Sequence, residues 1–167
     1  MRLLYCLFLT LSVLAANAGE DSLKLKLSSL NQEVSNLFYS ADKITDTLFL
    51  STVQDAKDLS RSVGDNRSLY HLLRMEGLFL AGVLGDEVQG TSKIDSAFSL
   101  AFQANDSIGI SKGHSAKANM FLMLDEPKKA LVHYLQALEY TPTTEPIEVF
   151  QSYYSIAYCY DRLDRLK

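Results

Sequence analysis

From Leu23 onward, apolar residues return every three or four positions, and no stretch of the chain alternates strictly between apolar and polar. A period near 3.6 puts such residues on one face of a helix, whereas a half-buried strand needs a period of two. The spacing predicts helices over Leu23 to Tyr39, Ile44 to Val63, Ser68 to Leu84, Ile94 to Ala104, Ser111 to Leu124, Pro127 to Tyr140 and Pro146 to Leu163. On the first, Leu27, Leu30, Val34 and Leu37 or Phe38 form one stripe. Gly64-Asp65-Asn66 and Gly85-Asp86 are turn signals, because glycine takes the left-handed conformation that helix ends favour. "EVQGTSK", Glu87 to Lys93, reads as a loop. Short helices with short connections and no strands imply an all-α fold, either layered or built of repeats.

The first residues follow another logic. Arg2 is basic, Leu3 to Ala16 is apolar, and Ala16-Asn17-Ala18 offers the small residues of a signal-peptidase site. This layout predicts a secretory signal over residues 1–18, cleaved after Ala18, since the apolar run is short of the roughly 20 residues of a membrane span. Cys6 lies inside that run rather than after the cleavage site, which speaks against a lipid anchor. The remaining chain expects no direct membrane insertion. Removing Arg2 changes 16 basic against 20 acidic residues to 15 against 20, a net charge of −5. That balance argues against nucleic acid, whose binding rests on phosphate neutralisation. With Cys6 removed, Cys159 has no partner for an intramolecular disulfide, and its apolar helical setting makes it a core residue. The short basic start and A-x-A ending place the protein in the periplasm, with secretion as the alternative.

The stretch "DEPKKALVHYLQALEYTP", Asp125 to Pro142, supplies a ruler for internal repeats. Ala130, Leu131, Tyr134, Ala137 and Leu138 share one face, and the alanines let a neighbouring helix come close. Ala130, Tyr134 and Pro142 keep the A-x3-F and closing-P spacing of the tetratricopeptide repeat, a helix-turn-helix unit of about 34 residues. Upstream, Ala118 and Phe121 take the places of that repeat's glycine and tyrosine, while His114 and Lys117 replace its tryptophan and leucine. The chain here resembles the tetratricopeptide repeat family. Moved back by close to one such repeat, the ruler carries Ala130, Tyr134 and Ala137 onto Ala97, Ala101 and Ala104. Ala56 with Val63 is a fainter copy more than one repeat earlier still, the surplus being assigned to "EVQGTSK". Ala157, Tyr160 and Leu163 repeat Ala118, Phe121 and Leu124 at a constant offset downstream. The resemblance implies an α-solenoid of antiparallel helix pairs coiled into a right-handed superhelix. Its organisation would be a signal peptide over 1–18, an N-terminal helix over 19–43 and a repeat domain over 44–167, whose last repeat lacks its second helix and so expects a continuation beyond Lys167.

No catalytic signature accompanies this pattern. His71, His114 and His133 stand in no metal-binding spacing and read as structural, and neither a nucleophile elbow, an H-E-x-x-H pair nor a phosphate-cradling glycine loop occurs. "GDEVQG" lacks the ligand spacing of a calcium loop. Asn66-Arg67-Ser68 and Asn105-Asp106-Ser107 fit the N-glycosylation pattern, but Asn, Asp and Ser are also what inter-helix turns use. No enzyme activity and no cofactor are expected. The resemblance implies instead a concave groove, lined by the first helix of each pair, that holds a protein or peptide ligand. Its residues would be Met75 and Phe79, then Ser115, Asn119 and Met123, then Tyr154, Tyr158 and Arg162, with Asn119 hydrogen-bonding the backbone of an extended peptide. Core packing is the alternative for Met75, Phe79 and Met123. The functional expectation is an exported protein- or peptide-binding module, the periplasmic input region of a larger membrane-anchored signalling protein or, alternatively, a free-standing scaffold for envelope or secretion assembly.

Overall fold

The structure is a computed structural model that describes the backbone over residues 2–39 and 46–165 and side chains from residue 19 onward within those ranges. The signal-peptide reading of residues 1–18 and the chain beyond Arg165 lie outside the described side chains. Seven α-helices and no strands occupy the described residues, in two compact units over residues 1–65 and 66–167. No helix among the described residues is long and apolar enough to cross a membrane.

The first unit pairs α1 (Arg2–Tyr39) with α2 (Asp46–Ser62). The α1 stripe buries Leu27 and Val34, two helical turns apart, while α2 buries Phe49, Val53 and Ala56 at helical intervals. The Phe38 and Phe49 rings lie 6.1 Å apart, and Gly19 and Leu23 share a surface recess with Ser62 and Val63. The end of one helix therefore meets the start of the other, so the two run antiparallel.

The second unit holds α3 (Asn66–Gly82), α4 (Glu87–Gln103), α5 (Ser107–Met123), α6 (Pro127–Tyr140) and α7 (Pro146–Asp164). Each helix packs on the next in sequence, and α3 also touches α5. The turns are variations on one device. Gly64, Gly85, Asn105 and Asp125 all have φ between 51° and 71°, and an acid, Asp65, Asp86, Asp106 or Glu126, follows each. At Gly64, Asn105 and Asp125 the left-handed residue donates to the carbonyl three residues back, and the following acid's N–H bonds the carbonyl five back. This is the Schellman arrangement, which satisfies carbonyls left over at a helix end. Asp86 and Asp106 then cap the next helix by accepting from Gln89 N–H at 3.0 Å and Gly109 N–H at 3.2 Å. Pro127 and Pro146 open α6 and α7, where a missing N–H costs nothing.

Glu87 to Lys93, expected as a loop, forms the first two turns of α4, and α5 likewise starts at Ser107 rather than Ser111. The glycines that suggested a loop serve close helix approach instead. A Cβ on Gly77 would sit 2.7 Å from the Gly90 carbonyl oxygen, and one on Gly90 would sit 2.7 Å from Ala81 Cβ. The backbones of α3 and α4 cross there.

With α4 extended, the internal spacing changes. Asn66, Ser107 and Pro146 open α3, α5 and α7 at nearly equal intervals, and Glu87 and Pro127 open α4 and α6 at the same spacing. Laid on each other by those starts, the buried Gly90, Ile94, Ala97 and Ala101 of α4 align with Ala130, Tyr134, Ala137 and Thr141, which are buried too. The match of Ala97 to Ala130 is thus two helical turns out of register. The helix pairs repeat at a longer period than the tetratricopeptide unit of about 34 residues. The described residues are all-α, with sequential helices packed on one another within each unit.

Candidate functional site

Residues of α3, α4, α5 and α7 in the second unit line a surface cavity of about 390 Å³. The α3 helix supplies Arg67, His71 and Arg74, at i, i+4 and i+7 on one stripe. The start of α5 supplies Ile108 and Lys112, and the start of α7 supplies Glu145 and Glu148. The cavity holds both signs of charge.

Asp106 anchors one end. Besides capping α5, its carboxylate accepts from the Tyr70 hydroxyl and from Arg67 Nε at 3.0 Å. Burial opposes its charge, but the bonds from Tyr70, the Gly109 N–H and Arg67 outweigh that and hold its carboxyl below the usual range. Burial, then the Asp106 carboxylate, push the Tyr70 phenol up, so it stays a donor. Asp106 thereby ties the α4–α5 turn to α3.

His71 lies at the centre of the stripe. Its Nδ1 is 2.9 Å from Arg74 Nη2. A guanidinium has donors only, so Nδ1 accepts and the neutral ring carries its proton on Nε2. Burial, with Arg74 and Lys112 nearby, pushes its pKa down to about 4. The cavity therefore presents a neutral imidazole among cations.

Lys112 Nζ meets Glu148 Oε1 at 2.9 Å, with the side chains 41% and 29% exposed. An ion pair so open to water contributes only ~0–1 kcal/mol, so each partner can exchange the other for a ligand's charge. The start of α7 is held by a buried hydroxyl relay. Thr141 Oγ1 is 2.8 Å from Ser111 Oγ, 3.5 Å from Ser152 Oγ, and donates to the Ala137 carbonyl at 2.8 Å.

A second cluster sits between α4, α5 and α6. His114 Nδ1 is 3.4 Å from His133 Nδ1; His114 also stacks on Tyr140 at 5.7 Å and meets the Phe98 edge at 4.8 Å, and His133 stacks on Phe121. Lys117 Nζ lies over the Phe98 ring and pairs with Asp95 at 2.6 Å. Burial first, then His133 and Lys117, pushes His114 down to about 4, and burial with Lys117 lowers His133. Both rings are neutral packing groups near pH 7. Among the described residues no group of three or more His, Cys, Asp or Glu could hold a metal ion.

The groove residues expected from sequence fall in several places. Met75 and Phe79 are each 3% exposed and lie in the interior. Ser115 and Asn119 are half-buried, and the Asn119 side-chain carbonyl accepts from the Tyr134 hydroxyl. Met123 is exposed, with its side chain against Gly82. Tyr154 and Tyr158 are 66% and 41% exposed, and Arg162 pairs with Asp125 and donates to the Tyr158 hydroxyl at 3.4 Å.

None of the eight lines the cavity. The physical reason on α3 is a register step of one residue. Laying α5 on α3 by their first residues carries Ser115 back to Arg74 and Met123 back to Gly82. Met75 and Phe79 each stand one position further on, turned about 100° into the packed side. On α5, Lys112 precedes Ser115 and Asn119 by three and seven residues, so all three share a stripe. The charged cavity residues that the sequence reading did not assign to a site are Arg67, His71, Arg74, Lys112, Glu145 and Glu148. The Arg67, His71, Arg74 run at i, i+4 and i+7 on α3, two cations about a neutral imidazole, is the signal that could have pointed to them. In comparisons with protein-family models, curated proteins and solved structures, nothing matches the chain.

Proposed function

We propose that the chain is an exported helical-repeat module, tetratricopeptide-like but with a longer period, that binds a protein or peptide without catalysing a reaction. The observation that supports this reading is the mixed-charge cavity between α3, α5 and α7, whose Lys112–Glu148 pair is open to exchange. A peptide has both signs of charge and backbone amides to offer such a surface. From the cavity, the α5 stripe continues through Ser115 to Asn119, whose amide nitrogen remains a donor beside the carbonyl that Tyr134 occupies. An extended segment lying along that stripe would meet charges first and amides next. Export is supported by the N-terminal pattern of Arg2, an apolar run and Ala16-Asn17-Ala18.

Site-specific photocrosslinking tests the binding reading in envelope extracts. A photoreactive residue at Ile108, in the cavity, should capture a discrete partner that one at Glu139, exposed on α6, does not, and Arg74→Glu with Lys112→Glu should abolish capture. Equal capture at both positions, or capture indifferent to the charge reversals, removes the cavity from the function. Export is checked separately by fusing the N-terminal segment through Leu30 to alkaline phosphatase, which is active only outside the cytoplasm.

A further inference from the structure

The facing histidines between α5 and α6 have a geometry that packing alone does not require. Their ring centres are 5.7 Å apart and their planes 29° from parallel. An imidazole nitrogen lies about 1.15 Å from its ring centre, the ring bonds being between single and double in length, so two Nδ1 atoms on such rings come no closer than about 3.4 Å. His114 Nδ1 and His133 Nδ1 stand at that limit, 3.4 Å apart. They therefore point straight at each other, with the rings twisted about the line between them.

As a hydrogen bond this contact is poor. One ring must donate and the other accept, and a good N–H bond spans about 2.7–3.2 Å. The arrangement offers instead two neutral nitrogens in line. An ion between them, at the ~2.0 Å usual for imidazole, needs them about 4.0 Å apart, roughly 0.6 Å more than they are. Both rings are half-buried rather than enclosed, so small side-chain rotations supply the difference.

The surroundings select the ion. Zinc usually takes four ligands in a tetrahedron, and among the described residues no third His, Cys, Asp or Glu completes a metal-holding group with the pair. Imidazole also suits copper, and a monovalent ion with a filled d shell accepts two neutral ligands in line. One added positive charge is tolerated here. Lys117 is paired with Asp95 at 2.6 Å and Lys129 with Glu126 at 2.8 Å, so the lysines of the cluster are already neutralised. His114 lies against Tyr140 and His133 against Phe121, with planes 20° and 9° apart, and ring faces attract cationic charge. Gln136, one turn along α6 from His133, has a buried Oε1 without a hydrogen-bond partner, and its side chain is close enough to favour a proton on that ring. A metal-bound imidazole keeps its proton on the nitrogen away from the metal and gives it to a neighbouring oxygen. Gln136 is the acceptor beside His133.

We propose that His114 and His133 bind one soft monovalent ion, Cu(I) or Ag(I), in line between their Nδ1 atoms, joining α5 to α6. No electron and no net proton is exchanged. The ring that holds its proton on Nδ1 moves it to Nε2 through solvent, and each Nδ1 gives its lone pair to the ion.

The test titrates the purified chain, isotope-labelled in its histidine nitrogens, with Cu(I) under anaerobic conditions against a chromophoric Cu(I) chelator, and in parallel with silver nitrate and with Zn(II), while ring-nitrogen NMR spectra are recorded. One equivalent of Cu(I) or Ag(I) should bind, shift the Nδ1 signals of both His114 and His133, place both ring protons on Nε2, and leave the His71 ring unmoved. His114→Ala or His133→Ala should weaken binding at least about tenfold, or about 1.4 kcal/mol, with circular dichroism confirming the fold. If either variant unfolds, the spectra of the parent chain decide. Failure to bind one equivalent overturns the assignment, as does binding that leaves both Nδ1 signals in place, which would give the ion to Cys159 or a methionine. Zn(II) held by the same two atoms as tightly as Cu(I) overturns the choice of ion.

Discussion

Gly77→Ala probes the closest approach in the second unit. The new methyl would lie 2.7 Å from both the Gly90 carbonyl oxygen and Ile94 Cγ1, and 3.2 Å from Ile94 N. Ordinary heavy-atom contact is ~3.5 Å or more, so the overlap is roughly 0.8 Å and falls partly on backbone that cannot rotate away. The two helices must part, loosening the contacts of the fully buried Ile94. Overpacking of this kind costs about 1–3 kcal/mol. Alanine's better helix propensity returns about 1 kcal/mol, leaving a net loss of up to about 2 kcal/mol. For a chain of this size that lowers the thermal midpoint by up to about 8 °C. Circular dichroism, followed through heat and urea transitions, reads both numbers. Gly113→Ala is the graded comparison, because its Cβ meets only the Phe98 side chain, at 2.7 Å, and a ring can tilt. If Gly77→Ala raises the midpoint, helix propensity is acting alone and the α3–α4 crossing is looser than these distances.

Acid should unfold the chain before most carboxylates are protonated. His71 and His114 are held down at about 4 against about 6.5 in the unfolded chain. The unfolded state binds protons that the folded state refuses, so this stabilisation is complete above about pH 6.5 and is lost as pH falls toward 4. It amounts to at most about 3 kcal/mol for His71 and less for His114, whose half-buried ring is screened by nearby water. Urea midpoints at neutral pH and near pH 4.5 measure it, and a flat profile contradicts the buried neutral rings. Asn105→Gly should stabilise by about 0.5–1 kcal/mol by removing a side chain from φ 51°, read as a higher urea midpoint with an unchanged slope. Asp106→Ala removes a cap and leaves the Tyr70 hydroxyl without its acceptor, for a loss of about 2–3 kcal/mol. Asp106→Asn, which keeps an accepting oxygen, should fall between it and the parent in the same assay.

Helix content is legible because each buried line, such as Ala130, Tyr134 and Ala137 on α6, keeps helical spacing in the sequence. The turns are legible one by one. A left-handed residue followed by an acid recurs at positions 64, 85, 105 and 125, almost evenly spaced, and it marks the starts of α3 through α6 without reference to apolar pattern. Cys159, a core residue by its apolar helical setting, is fully buried. The cavity is hidden because it is assembled from separate helices. Arg67, His71 and Arg74 on α3 resemble any solvated helix face until Lys112 and Glu148 are brought opposite them.

The register error on α4 has a physical origin that applies to any stacked helical chain. A helix returns to nearly the same face after seven residues, only ~20° short of two full turns, so Ala97, Ala101 and Ala104 satisfy the same apolar template as Gly90, Ile94 and Ala97. Apolar spacing alone cannot separate the two registers. What separates them is where the helix starts, which is decided by Asp86 accepting from Gln89 N–H and by the left-handed Gly85 before it. Moving the start back by two turns makes a supposed insertion into helix, lengthens the repeat beyond the tetratricopeptide period, and brings Gly90 against Gly77. The glycine that looked like a loop signal is then the reason the two helices can cross, because only a residue without a side chain fits between those backbones.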